Sequence, residues 1–369
     1  MLRNWDEIYY MILFLRSKGP KMPPNCNETQ QYCFTKLAQV SRSFSSVILS
    51  LSEELCEPVC LFYLVCRGID TIEDDMKPSV DTKTPPLREF HKHLNEKGWK
   101  LKGFGDKQTE IDLLEQFDKV IDRLSTIKPK YFEIIQDIAR EMGNGMADFL
   151  EKKVVTIEDY NLYCWYVAGL VGEGLSRMFA ATGTETADFA KVKDLYTSMG
   201  LFLQKTNITR DYLEDVNEVP PRLWWPKEIW EKYTDDVLNF KKPENMKPAL
   251  ACLNHMVTDA MTHSIDCLKY LKMIKDPASF RFCAIPQVMA IATLYECYNN
   301  PNVFKKEVKI RKSLAVKMIM TTNDYQSAVQ YFRYFGGELK KAIPKSDPNA
   351  KRLSSILLDL EKHISQPKN

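Results

Sequence analysis

The chain has 369 residues, 44% of them hydrophobic and 27% charged, which excludes overall disorder and leaves ample material for a buried core. A formal net charge of +2 provides no global field for nucleic acid, and no basic stripe interleaves with aromatics, so anion binding has to be local. The ten cysteines include Cys56, Cys60, Cys66, Cys164, Cys283 and Cys297 inside apolar runs. This is the placement of small core hydrophobes in a reducing compartment, with no C-x-x-C and no zinc pattern.

In chain order, Ile8–Leu15 is an apolar run that follows Asp6 and Glu7 and lacks a small-residue cleavage site, so it reads as the first turns of a helix. Helical spacing of Leu and Ile among charges predicts helices over 111–124, 131–150, 162–181 and 191–215, and similar patterns follow at 251–273 and 282–298. Polar, Pro-rich stretches predict irregular loops at about 77–105 and 216–245. No stretch reaches the ~18 apolar residues of a spanning helix. The expectation is an all-α protein, a single large helical domain over 1–369.

The chemistry begins at Arg67-Gly-Ile-Asp70-Thr-Ile-Glu73-Asp74-Asp75. At 100° per residue, Tyr63, Arg67, Asp70 and Asp74 share an arc of roughly 60°. A second cluster has the same form, with Gln204, Asn207, Asp211 and Asp215 within about 80°. Acidic i, i+4 pairs are common on solvated helix faces, where repulsion costs only about 0.2–0.5 kcal/mol. Here, however, apolar runs precede both clusters (Val59–Cys66 and Gly200-Leu-Phe-Leu203), and unpaired carboxylates in a core are prohibitive. Oxygen-only ligands without His or Cys suit Mg²⁺ bridging carboxylates to phosphates. Two such faces therefore predict a diphosphate clamp.

Asp70-Thr-Ile-Glu-Asp74 and Asp211-Tyr-Leu-Glu-Asp215 resemble the two aspartate-rich motifs of the squalene/phytoene synthases. The strings Tyr166-Val-Ala-Gly-Leu-Val-Gly172, Met199-Gly-Leu-Phe-Leu-Gln-Lys-Thr-Asn-Ile208 and Phe282-Cys-Ala-Ile-Pro-Gln-Val-Met-Ala290 narrow the resemblance to the squalene-forming branch, over about residues 32–317. It implies an α-helical isoprenoid synthase fold with the motifs facing each other over a central apolar cavity. It also implies a prenyltransferase with a reductase step: two farnesyl diphosphates join head to head into presqualene diphosphate, which is reduced with NADPH to squalene for sterol synthesis. Implied metal ligands are Asp70, Glu73, Asp74, Asp211 and Asp215, for Mg²⁺ with Mn²⁺ as a substitute. Thr209 departs from the pattern, standing where an apolar residue is more usual.

The same resemblance assigns substrate diphosphate to Ser41-Arg42-Ser43-Phe44, whose hydroxyls and guanidinium before an apolar run suit phosphate. Tyr63, Arg67, Gln204, Asn207 and Arg210 would bind substrate as well. Tyr166 would abstract a proton or stabilise a cation in cyclopropane formation, although a phenol near pKa 10 is a poor base unless cations lower it. Phe282, Cys283, Pro286 and Gln287 would line the second-half-reaction pocket. Lys309 and Arg311, in Val308-Lys-Ile-Arg-Lys312, would bind NADPH with Arg67 and Asn207, there being no G-x-G-x-x-G.

Further expectations are a monomer, no nucleic-acid partner, and association of the full-length protein with the endoplasmic reticulum membrane, its catalytic domain facing the cytosol. The sequence ends after the amphipathic segment 352–363, and the expectation is that the C-terminal membrane anchor usual in the branch was removed or never existed. The rival readings are a phytoene- or dehydrosqualene-type synthase with no reductive step, and a non-catalytic helical protein that binds cations structurally.

Overall fold

A computed structural model describes residues 5–16 and 22–366, and no strand occurs among them. The helices are α1 (Trp5–Arg16), α2 (Glu28–Val40), α3 (Arg42–Ile48), α4 (Glu53–Asp74), α5 (Val80–His93), α6 (Gln108–Glu115), α7 (Asp118–Leu124), α8 (Pro129–Phe149), α9 (Ile157–Cys164) and α10 (Leu170–Thr182). They continue with α11 (Lys193–Arg210), α12 (Tyr212–Asp215), α13 (Lys227–Trp230), α14 (Met246–Met261), α15 (Ser264–Met273), α16 (Pro277–Cys297), α17 (Lys312–Thr321), α18 (Tyr325–Ala342) and α19 (Ala350–Ser365). The chain forms two compact units, one of residues 18–152 and 170–193, the other of 1–17, 153–169 and 194–369.

In the first unit, α4 is the central element. Its apolar residues are buried on most sides, from Leu55 to Ile72, and α5, α8 and α10 pack around it. Small residues set the approach distances. A Cβ on Gly143 of α8 would stand 2.1 Å from the Leu87 carbonyl oxygen of α5, and one on Gly174 of α10 would stand 2.6 Å from the Phe62 ring of α4. The end of α4 is closed by Lys83, whose buried ammonium donates to the Glu73 and Asp75 carbonyls at 2.6 and 3.0 Å. A cation there satisfies orphan carbonyls and opposes the helix dipole.

That contact overturns part of the sequence expectation. The 77–105 stretch is not irregular throughout, because α5 runs through Pro85 and Pro86. The carbonyls deprived of partners belong to the exposed residues Asp81 and Thr82, where water can serve them. Ser79 caps the start, and Lys83, Leu87, Phe90 and Leu94 bury one side. Burial along one face outweighs two prolines on the other. The expected helix over 111–124 is likewise two, α6 and α7, parted at Gln116 and Phe117.

In the second unit, the expected helix over 251–273 divides into α14 and α15, and α11 ends at Arg210 before the short α12. The helical path at 157–182 contains a π turn, Trp165–Gly169. The 216–245 stretch is largely irregular, as expected, yet it is anchored. Tyr212, Trp225, Phe240 and Phe304 form a ring cluster with centroids 4.9–6.3 Å apart, the Trp225 indole donates to the Ile208 carbonyl at 3.0 Å, and the Tyr212 hydroxyl donates to that of Val237 at 2.6 Å. Helix α16 is long and apolar enough to cross a bilayer, but 72% of its apolar window is buried inside the protein, as befits a core helix.

Gly143 offers a direct check on the α5–α8 approach. Gly143→Ala should destabilise the protein by roughly 2–3 kcal/mol, because the added methyl meets backbone and neither helix can yield locally. Urea unfolding should show a lower midpoint with an unchanged slope; an unchanged midpoint would mean that the helices are not held at this distance.

Candidate functional site

The first acidic face stands as the helical count required. On α4, the Arg67 guanidinium donates to the Tyr63 hydroxyl at 3.1 Å and lies 3.9 Å from the Asp70 carboxylate. Burial disfavours the charge on Arg67, but Asp70 and Tyr63 more than offset this and raise its pKa. The Arg67 Nε–H is buried with no acceptor among the described residues, which leaves one strong donor beside two carboxylates. Asp70 is partly exposed and Asp74 is exposed, whereas Glu73 is only 6% exposed and stands apart from them. Asp75 turns away, accepting from the Gly105 and Lys77 amides at 2.8 and 3.0 Å. It pins the following loop to the helix end.

Ser41 and Phe44 come to the same region. Ser41 caps α3, its hydroxyl accepting from the Phe44 amide at 3.2 Å, and the Phe44 ring lies 5.9 Å from that of Tyr63. The side chains of Arg42 and Ser43 lie outside the described residues.

In the other unit, the second face starts on α11. Gln204 is partly exposed and Asn207 exposed, while Lys205, Thr206, Ile208 and Thr209 between them are buried. The helix breaks at Asp211, with φ −92° and ψ 13°, but the Asp211 and Asp215 amides still bond back four residues, to Asn207 and Asp211 at 2.8 and 3.0 Å. The i, i+4 register therefore survives the break. Asp211 is gripped by its neighbour, Arg210 donating through Nε and Nη2 at 2.7 and 2.6 Å. This bidentate pairing raises the arginine pKa against the opposing effect of burial. The hydroxyl of Thr209 donates to the Lys205 carbonyl at 2.7 Å, which accommodates a polar side chain in the core.

Tyr166 occupies the π turn and is partly exposed. Gly200 of α11 lies against that turn, a Cβ there reaching 2.5 Å from the Ala168 carbonyl oxygen. On α16, Phe282 and Cys283 are buried at 6% and 8% exposure. Gln287 is 1% exposed and donates its amide to the Met199 carbonyl at 3.0 Å. It ties α16 to α11. Lys309 is exposed and paired with Glu307, and Arg311 pairs with Glu7 at 2.8 Å.

Sequence reasoning missed the polar assembly behind the second face. Lys205 and Asp259 are both buried and paired at 2.6 Å, with the ammonium 5.2 Å from the Tyr160 ring centroid and Arg352 3.5 Å from the other Asp259 oxygen. A lysine inside Gly200-Leu-Phe-Leu-Gln-Lys205 and an aspartate inside the apolar part of α14 were the available signals, since buried charges need partners. Burial and then Lys205 push the His263 pKa down to about 4; burial and then Arg352 do the same to His255. His255 accepts from Arg352 at Nε2, 3.3 Å away, and contacts the Tyr233 hydroxyl through Nδ1 at 3.2 Å, as a neutral ring can.

A family model described as squalene/phytoene synthase matches residues 37–313. Squalene synthase 1 of Arabidopsis thaliana is 46% identical over 368 residues, 98% of this chain and 88% of its own length. Squalene synthase BSS of Botryococcus braunii is 46% identical over 92% of this chain and 74% of its own, and squalene synthase of Dictyostelium discoideum 45% identical over 90% and 80%. A solved complex of TcSQS with the ligand E5700 is similar at a TM-score of 0.90 and 42% identity, covering 91% of this chain and 98% of that one.

The buried histidines fix the sign of a pH effect. Their folded pKa values lie below the ordinary value near 6.5, so below that pH the unfolded chain takes up protons that the folded chain refuses. Stability should fall as pH drops from 6.5 towards 4. Unfolding midpoints against pH should show this decline, and His263→Gln should reduce its slope; a slope the same in both proteins would exclude His263 as a contributor.

Proposed function

This chain belongs to the squalene/phytoene synthase family, and from that membership we propose how its residues divide the work of a squalene synthase. The enzyme condenses two farnesyl diphosphates head to head into presqualene diphosphate, then rearranges and reduces that product to squalene. The observation that carries the residue assignment is the face on α4. Asp70 and Asp74 reach solvent from a helix buried on most sides, beside a guanidinium with an unused donor.

Squalene synthases work with a divalent metal and NADPH. The donors fit, because aspartate oxygens without nitrogen or sulfur suit Mg²⁺ or Mn²⁺, and the unused Arg67 N–H suits a diphosphate oxygen. The metal supplies charge neutralisation of the leaving diphosphate, and NADPH supplies the hydride. Asp70 and Asp74 on one face, and Asp211 and Asp215 on the other, would hold the cations. Glu73 is left out of this set because its side chain is buried. Asp211 would exchange Arg210 for a cation, freeing the guanidinium to grip diphosphate.

Arg67, Tyr63 and the Ser41–Phe44 segment would orient substrate, and Gln204 and Asn207 would complete the second face. Tyr166 is assigned the proton lost on cyclopropane closure, a role supported by its place in a π turn, a feature frequent at functional sites. Phe282, Cys283 and Pro286 would form an apolar wall that keeps water from the cation. Asn207, Lys309 and Arg311 would meet the NADPH phosphates, Arg311 through Nη1, since its Nε and Nη2 are given to Glu7. We propose that the enzyme works at the endoplasmic reticulum membrane, which suits the prenyl chains of its substrate and its hydrocarbon product.

Incubation with farnesyl diphosphate and Mg²⁺ should give squalene only when NADPH is added, with presqualene diphosphate accumulating in its absence. Formation of dehydrosqualene irrespective of NADPH would favour the rival without a reductive step. Asp70→Asn and Asp211→Asn should each lower turnover by about 10²-fold or more, the scale of losing a main electrostatic stabiliser. Full turnover in both would leave the clusters a structural role only.

A further inference from the structure

Helix α1 turns an apolar face outward. Ile8, Tyr9, Ile12 and Leu15 are 47%, 58%, 45% and 75% exposed, whereas Glu7, a carboxylate, is buried at 4%. Glu7 accepts from Arg311 and from the Ser313 hydroxyl at 2.8 and 2.7 Å, and Asp6 pairs with Lys317. The acidic residues of α1 thus hold it against α17. At 100° per residue, Ile8, Tyr9, Ile12, Leu15 and Arg16 share an arc of about 120° that contains neither carboxylate. The protein's own core does not cover this face.

Charge identifies what does. The outward face carries only a cation, Arg16. The chain entering α17, which meets the first turn of α1 through Arg311 and Ser313, exposes Lys305, Lys306 and Lys312, none with a carboxylate partner among the described residues. Apolar side chains with an aromatic among them, next to unpaired cations, fit the surface of an anionic bilayer. The apolar residues sink below the headgroups, while the lysines meet phosphates and carboxylates above. We propose that α1 lies in the surface of an anionic lipid bilayer and, with the cations before α17, docks this protein on it. Neither the active-site assignment nor any spanning segment is required, since α16 is a core helix.

The test is co-sedimentation of the whole chain with phosphatidylcholine vesicles, with and without phosphatidylserine. Binding should require phosphatidylserine. The variant Ile8→Ser/Ile12→Ser/Leu15→Ser should weaken it at least tenfold, as follows from removing apolar groups that each contribute about 1 kcal/mol or more. Lys305→Glu/Lys306→Glu/Lys312→Glu should weaken it by roughly 100-fold, at about 1 kcal/mol per cation. Thermal melts matching the parent protein would show that the variants fold. Equal binding by the serine variant and the parent, or no binding by the parent, would overturn the proposal. So would a dimer in light scattering without vesicles that the serine variant abolishes, because the face would then belong to a second copy.

Discussion

The second acidic face depends on the buried pair between Lys205 and Asp259, closed at 2.6 Å. Losing one partner of such a pair costs about 3–5 kcal/mol, because the survivor is left charged without solvent. The ammonium lies over the Tyr160 ring of α9, and the carboxylate also faces Arg352 of α19, so one cation and one anion fix four helices. Asp211 follows Lys205 by less than two turns. Its position is inherited from that pair and from Tyr212 and Trp225, whose rings and hydrogen bonds anchor the irregular chain that follows. A loop with little regular structure thereby has a rigid beginning.

The first face is held differently. Helix α4 is buried by apolar contacts on most sides, and its polar end is finished by backbone chemistry, with Lys83 on its last carbonyls and Asp75 on the amides of the following loop. These contacts use Asp75 but leave Asp70 and Asp74 on the solvent side. In the sequence the four acids from Asp70 to Asp75 look equivalent. Burial sorts them, because a carboxylate whose side chain reaches solvent is open to a cation and a buried one is not. The same sorting separates Asn207 from Lys205 and Thr206 on α11.

Charge at the second face is already balanced within the protein. Arg210 grips Asp211 through two hydrogen bonds, and Arg311 is similarly occupied by Glu7. An arginine on a carboxylate is a good resting partner for both groups. The guanidinium stays charged whatever leaves it, and a planar fork that fits a carboxylate also fits a phosphate. At Asp211, ligand binding would exchange the guanidinium for a cation and expose no bare charge, so a strongly ionic site can form in a chain of formal net charge +2.

Periodicity and residue chemistry in the sequence determined the all-α class, the existence of most helices, and the two faces with carboxylates four residues apart. Each of these is a property of neighbours along one helix, where 3.6 residues per turn decides what shares a side. The same local logic failed where distant packing outweighed it. Helix α5 persists through two prolines because Leu87 and Phe90 are buried, and α11 breaks at Asp211 although its pattern continues. Which acid is buried, what Arg210 and Arg311 hold, the tie of Gln287 to α11, and the outward apolar face of α1 were decided only by tertiary structure. Burial and ion pairing are set by residues tens or hundreds of positions away, as Glu7 and Arg311 are, and no local pattern encodes such partners.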